Sequence, residues 1–137
     1  MFEQEYIKVL TTPREIHIGP YIFDDVEVAD NDVSTRKGLM FRQDVPDNFC
    51  MLFKFDDDEV RSFWMKNCEF PIIVVFCDKN WKILAVHRMK VEETVNDEEL
   101  QRYSSVEPAR YAIEFKDSWM TDSVADIEIG SRVELSY

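Results

Sequence analysis

Glycine is scarce in this 137-residue chain: Gly19, Gly38 and Gly130 are the only three. A glycine-rich loop cradling phosphate is excluded on composition. Cysteine is scarce as well. Cys50, Cys68 and Cys77 are odd in number and have neither CxxC nor finger spacing, so free thiols in a reducing compartment are expected rather than a disulfide framework. The two histidines, His17 and His87, lie on separate strand candidates and do not supply the three or four converging ligands of a zinc site. No metal and no cofactor are expected. Apolar runs are short, none near the ~18 residues of a membrane span. The opening MFEQEYIKVLTTPRE has no basic start, no long apolar stretch and no small-residue cleavage site, so no signal peptide is expected, and a cytoplasmic location is. Positive charge is in deficit: 16 Lys and Arg face 28 Asp and Glu, a net charge of -12. Such a chain repels nucleic-acid phosphates and anionic membrane surfaces, and neither is expected as a partner. Solubility accounts for the charge; binding a basic partner would need carboxylates arrayed on one face.

What is present is enough for a packed core. Hydrophobic residues make up 45% and aromatics 13% of the chain, which excludes global disorder. The length fits one domain. Residues 1–13 read as an N-terminal extension and residues 14–137 as a single β-rich domain, expected to be monomeric.

Strand signals dominate. Ile16 and Ile18 alternate with polar residues up to the break at Gly19-Pro20. Residues 21–28 form a second candidate, with Ile22, Val26 and Val28 on one face. Asp30-Asn31-Asp32 offers an N-cap for a helix over residues 32–37, with Gly38 where a C-terminal residue of positive φ is needed. Residues 51–55 alternate, and Asp56-Asp57-Asp58-Glu59 reads as a polar turn. Residues 62–66 alternate again, with Phe63 and Met65 on one face and Ser62, Trp64 and Lys66 on the other. Residues 72–77 are continuously apolar and β-branched, as in a strand buried on both faces. Trp81 opens the next strand, through residue 89. Asn96 and Glu99 resemble a capping pair for a short helix to about Tyr103. Residues 110–115 are a strand with Tyr111, Ile113 and Phe115 on one face. One or two helical turns fit residues 117–126. Gly130 opens the last strand, with Val133, Leu135 and Tyr137 facing inward. The fold class is α+β, mostly β: a mixed, largely antiparallel curved sheet or small open barrel with one or two short helices.

Three sequence boxes stand out: Gly-Leu-Met-Phe-Arg at residues 38–42, Met-Leu-Phe at 51–53 and Phe-Trp-Met-Lys-Asn at 63–67. With Ala29, Arg36, Phe55, Pro71, Ala109, Arg110, Tyr111, Glu114 and Gly130 at matching spacing, the chain resembles domain-of-unknown-function family 192 over about residues 21–136. The resemblance implies a compact β-rich fold and carries no established activity, cofactor or catalytic residue. Cys50, Cys68 and Ser131 stand where the family has glycine, threonine and aspartate, and Ile72-Ile73 replaces its Leu-Asp.

Several motifs have a plainer reading than a chemical one. Met40, Met51 and Met65 beside aromatics could be thioether ligands for Cu(I), but they alternate with bulky apolar residues as core positions do. The acidic run at residues 56–59 lacks the glycine of a calcium loop. Cys50 and Cys68 have no base and no sign of a depressed pKa, so no catalytic residue is assigned.

The better constellation is Arg36, Arg42, Trp64, Lys66, Asn67 and Arg110. Several cations beside an indole and an amide suit a small anionic or polar ligand. Ion pairing of these cations with the abundant carboxylates is the competing reading. The favoured function is noncatalytic binding of such a ligand or of a protein partner. The alternative is an enzyme, hydrolase-like, acting on a small anionic substrate; it lacks a nucleophile–base pair, paired carboxylates or metal spacing.

Overall fold

The computed structural model describes residues 11–118, 124 and 126–137. The extension expected at residues 1–13 lies almost wholly outside them, as do most of the helical turns expected over 117–126. The elements run β1 (Glu15–Ile18), β2 (Tyr21–Phe23), β3 (Asp25–Ala29), α1 (Asp32–Lys37), β4 (Phe49–Phe63), β5 (Ile72–Cys77), β6 (Ile83–Met89), β7 (Tyr103–Lys116) and β8 (Glu134–Ser136). They form a five-stranded sheet of order β3-β4-β7-β5-β6 and a three-stranded sheet of order β2-β1-β8. Strands β3 and β4 pair in parallel and every other pair is antiparallel. The described strands do not close into a barrel.

Helix α1 follows from its caps. Asn31 is extended at φ -136° and its side chain accepts a 2.8 Å bond from the Ser34 amide, while Ser34 Oγ accepts in return from the Asn31 amide. This reciprocal pair satisfies two otherwise free N–H groups. The helix ends at Gly38, with φ +50° and ψ -127°. Parallel strands cannot be joined by a tight hairpin. α1 and residues 38–48 therefore form the crossover from β3 to β4, which lays the first sequence box against one face of the larger sheet.

Both faces of that sheet are covered, so both alternating sets of its strands are buried. Cys50, Leu52, Ile73, Val75, Ile113 and Phe115 pack with Ile16, Ile18, Tyr21 and Phe23 of the small sheet. Met51, Phe53, Val74, Phe76 and Ala112 pack with Leu39, Met65 and Met89 on the other side. All six residues of β5 are buried, as its unbroken apolar run predicts.

Five expectations change. Residues 56–59 are not a turn: β4 runs through them. Its long partner β7 pairs with Lys54 and again with Glu59, a register shift leaves residues 55–58 bulged between those pairs, and the carboxylates stay in solvent. Residues 21–28 are two strands, because the chain leaves the small sheet for the larger one at Asp24. Ile22 is 57% exposed, since β2 turns Tyr21 and Phe23 inward onto Phe115. β4 ends at Phe63, and Lys66 and Asn67 lie in a turn rather than on a strand. No helix forms at residues 96–103. Asn96 accepts from the amides of Glu98, Glu99 and Leu100 to close a turn, and Tyr103 already belongs to β7 opposite Phe63. The last strand is only Glu134–Ser136; Val133 before it is buried, but Tyr137 after it is 65% exposed. No described helix is long and apolar enough to cross a membrane.

The cysteines are free in the structure. Burial, reinforced by a neighbouring carboxylate in each case, pushes all three thiols up to about 12. Thiol titration of unfolded, never-reduced protein is expected to find three groups, and the folded protein at neutral pH to react slowly at each, because the thiolate is the nucleophile. A count of one would show a disulfide.

Candidate functional site

The first and third sequence boxes meet. The amide of Phe41 donates a 2.8 Å hydrogen bond to the carbonyl of Asn67. Both residues have positive φ, +68° and +57°. Leu39 and Met65, one from each box, are buried in the same cluster. Asparagine tolerates the left-handed region better than most residues, which gives Asn67 a role in the turn itself.

Between this corner, α1 and the β4–β7 pair lies a cavity of about 360 Å3. Asp32, Arg36 and Lys37 form its charged rim from the helix. Phe53, Phe55 and Phe63 of β4, with Trp64 just after it, give it an aromatic wall, Arg61 adds a cation, and Cys68 and Glu114 also line it. Phe63 sits edge-on to Phe53 and Phe76, at 4.9 and 5.1 Å between ring centroids, so the wall is continuous with the core.

The six candidates read from the sequence separate. Arg36 and Trp64 line this cavity, and the Arg36 side chain has no partner among the described residues. Arg42 is ion-paired with Glu27 and lies over the Phe49 ring. Lys66 pairs with Asp97 at 2.7 Å, its ammonium 5.2 Å from the Trp64 ring centroid. Arg110 makes a two-pronged contact with Asp58 at 2.9 and 3.1 Å. Asn67 is held by its backbone and is not part of the cavity lining. Three of the four cations among these candidates are therefore engaged by carboxylates. Such pairs are partly exposed and each contributes only ~0–1 kcal/mol.

Three residues were missed. Arg61 lies 4.0 Å from the Phe55 ring centroid, bonds the Ala109 carbonyl at 3.0 Å and pairs with Asp57. Its position on β4 was hidden by reading residues 56–59 as a turn. Arg102 places its guanidinium 4.3 Å from the Trp64 ring centroid; nothing in the sequence pointed to it. Glu114 had a signal. It is a carboxylate in an apolar strand, opposite the face of Ile113 and Phe115, and it was noted only as a point of family resemblance. It is 5% exposed and has no hydrogen-bond or ion-pair partner among the described residues. Burial pushes its carboxyl up to about 8 from the usual 4.5. Cys68, beside it, bonds the Lys66 carbonyl through sulfur, and Glu114 adds to the effect of burial in keeping its thiol protonated.

Fold and cavity together define a two-sheet, mostly β domain with a mixed aromatic and cationic cleft beside its βαβ crossover. The chain belongs to the DUF192 family, described as an uncharacterized ACR, which it matches over residues 16–135. No curated protein matches it. Among solved structures it is similar to a putative transcription regulator from Sinorhizobium meliloti, with TM-score 0.71 and 24% identity over 88% of this chain and 90% of that one. It is also similar to a protein of unknown function from Novosphingobium aromaticivorans, with TM-score 0.73 and 20% identity over 88% of this chain and 83% of that one. These likenesses establish the fold.

Proposed function

We propose that this domain binds a small molecule with an anionic group and an apolar or aromatic body in the cavity beside α1. The observation that carries the reading is Arg36: a cation with no protein partner among the described residues, at the rim of a cavity walled by phenylalanines and Trp64. In a chain of net charge -12, an arginine left without a carboxylate is available to an external anion, and its planar fork suits carboxylate or phosphate. The aromatic wall buries the rest of the molecule. Of the other sequence candidates, Trp64 contributes directly. Arg42, Lys66 and Arg110 are tied to carboxylates and serve the scaffold.

The test is fluorescence titration with small carboxylates, phosphate and sulfate, with Trp64→Phe showing which part of the response comes from the cavity. Arg36→Ala should weaken binding by about 1–3 kcal/mol, the range of a charge-assisted hydrogen bond, with no loss of thermal stability. Reduced stability without any ligand response would support a structural role instead.

One observation favours an enzymatic reading, a hydrolase-like activity on a small anionic substrate. Glu114 presents to the cavity a carboxyl that holds its proton near neutrality, as a general acid does. Among the described residues no partner nucleophile accompanies it: the Cys68 thiol is pushed up to about 12, and Ser62 and Thr35, which also line the cavity, have no histidine among the lining residues to activate them. Binding without turnover is the better fit.

A further inference from the structure

Glu114 sits in the middle of the larger sheet, level with Met51 of β4 on one side and Val74 of β5 on the other. Both neighbours are buried and apolar. A carboxyl in such a row is costly without a partner, and none is found among the described residues. The space beside it is kept by a residue without a side chain: a Cβ on Gly38 would come within 3.5 Å of Glu114 Oε1 and 3.4 Å of the Phe53 ring. Glu114 is part of the cavity lining, so its carboxyl meets that space and no second protein group among the described residues.

The charged and titratable groups around it are few. Asp32, Arg36 and Lys37 come from α1, Arg61 from β4, and Cys68 from the connection to β5. β5 itself presents Ile72, Val74 and Phe76 on that side. On β7, Arg110 and Lys116 are taken by Asp58 and Asp44. With Glu114 neutral and Arg61 paired with Asp57, the described lining holds two cations without a carboxylate partner, Arg36 and Lys37, against one anion, Asp32. That balance suits an acid group, not an amine.

We propose that Glu114 is the group that reads the ligand's acid: in its protonated form it donates a hydrogen bond to an oxygen of a carboxylate or similar oxyanion, so that the anion binds only while the proton stays. The inference rests on the ligand-binding reading above and adds which ligand group is recognised and how. An O–H···O⁻ contact is among the stronger hydrogen bonds, and a dry site strengthens it. Ionised, the same carboxyl would set two negative charges side by side and expel the ligand. Burial keeps the proton in place up to a pH of about 8, so the site is competent at neutral pH. The consequence is binding that is proton-linked on its alkaline side.

Calorimetric titration of the full chain with phenylacetate, which stays ionised throughout, tests this from about pH 6 to about pH 9.5. Wild-type affinity is expected to hold up to about pH 8 and then to fall toward tenfold per pH unit, as one-proton linkage requires. Glu114→Gln keeps a donor but cannot ionise, so its affinity, whatever its level, stays flat with pH. Glu114→Ala has no donor and should also be flat, but weaker than Glu114→Gln by about tenfold or more. The proposal is overturned if wild-type affinity is flat or rises with pH, or if Glu114→Gln falls in parallel with wild type. Circular dichroism at each pH confirms that all forms remain folded. Binding that ignores Glu114 removes this inference and leaves the ligand-binding reading standing. No binding of phenylacetate, benzoate, acetate, phosphate or sulfate at any pH removes both.

Discussion

Glu114→Gln is expected to stabilise the ligand-free protein at neutral pH by about 2–3 kcal/mol. The reason is linkage. The Glu114 carboxyl is held up at about 8 by burial, against an ordinary 4.5. Between those values the unfolded chain is ionised while the folded one is not, so folding takes up a proton. A raised carboxyl gives its full contribution to stability below about 4.5, and that contribution drains away as pH rises toward about 8, at about 1.4 kcal/mol per unit. At pH 7 most of it is gone. Glutamine does not ionise in either state and removes the dependence, less a modest cost for burying an amide. The melting midpoint should rise by on the order of 5–10 °C at pH 7 and differ little at about pH 4. Comparing the two proteins at each pH cancels the titration of the many surface carboxylates. A difference that stays constant from acid to neutral pH would show that Glu114 is ionised in the folded state. Stabilisation by removing an acid is what a binding group predicts: its cost to the fold is kept for the ligand.

Gly38→Ala is expected to destabilise by about 1–3 kcal/mol, the cost of placing a side chain in sparsely populated backbone space. Gly38 has φ +50° and ψ -127°, outside even the left-handed helical region that asparagine tolerates. The added Cβ would meet Phe53 and Glu114 at ordinary contact distances of 3.4 and 3.5 Å, so the loss is in the backbone and not in a clash. Reduced freedom of the unfolded chain offsets a few tenths to about 1 kcal/mol. Urea unfolding should show a lower midpoint with an unchanged slope. An unchanged midpoint would mean that the helix can end differently. The same methyl group would stand beside the carboxyl that faces the cavity, so ligand affinity should fall along with stability.

Local signals were legible where the cause is local. α1 was readable because Asn31, Ser34 and Gly38 satisfy its ends within a few residues. β5 was readable because a strand covered on both faces needs an unbroken apolar run. Acidic residues 56–59 misled for the converse reason. Propensity favours a turn there, but β4 resumes its pairing with β7 at Glu59, and residues 55–58 are carried as a bulge between the Lys54 and Glu59 pairs. Residues 62–66 alternate like a strand, yet the chain turns after Phe63. Trp64 and Lys66 still end as neighbours, through a cation–ring contact at 5.2 Å instead of strand alternation.

By itself the sequence determined the family, the mostly β class, the single described helix with its caps, and the three boxes that each contribute residues to the lining of the cavity. These depend on composition, periodicity and short-range capping, which act between residues close in the chain. Only the tertiary structure decided which cations are free and which carboxyl is buried. Arg42, Lys66 and Arg110 find Glu27, Asp97 and Asp58 at separations of 15, 31 and 52 residues, and no local pattern announces such pairs. Glu114 has its unusual proton affinity because β4, β5 and the turn at Gly38 close over it. That desolvation belongs to the assembled sheet, not to any stretch of the chain.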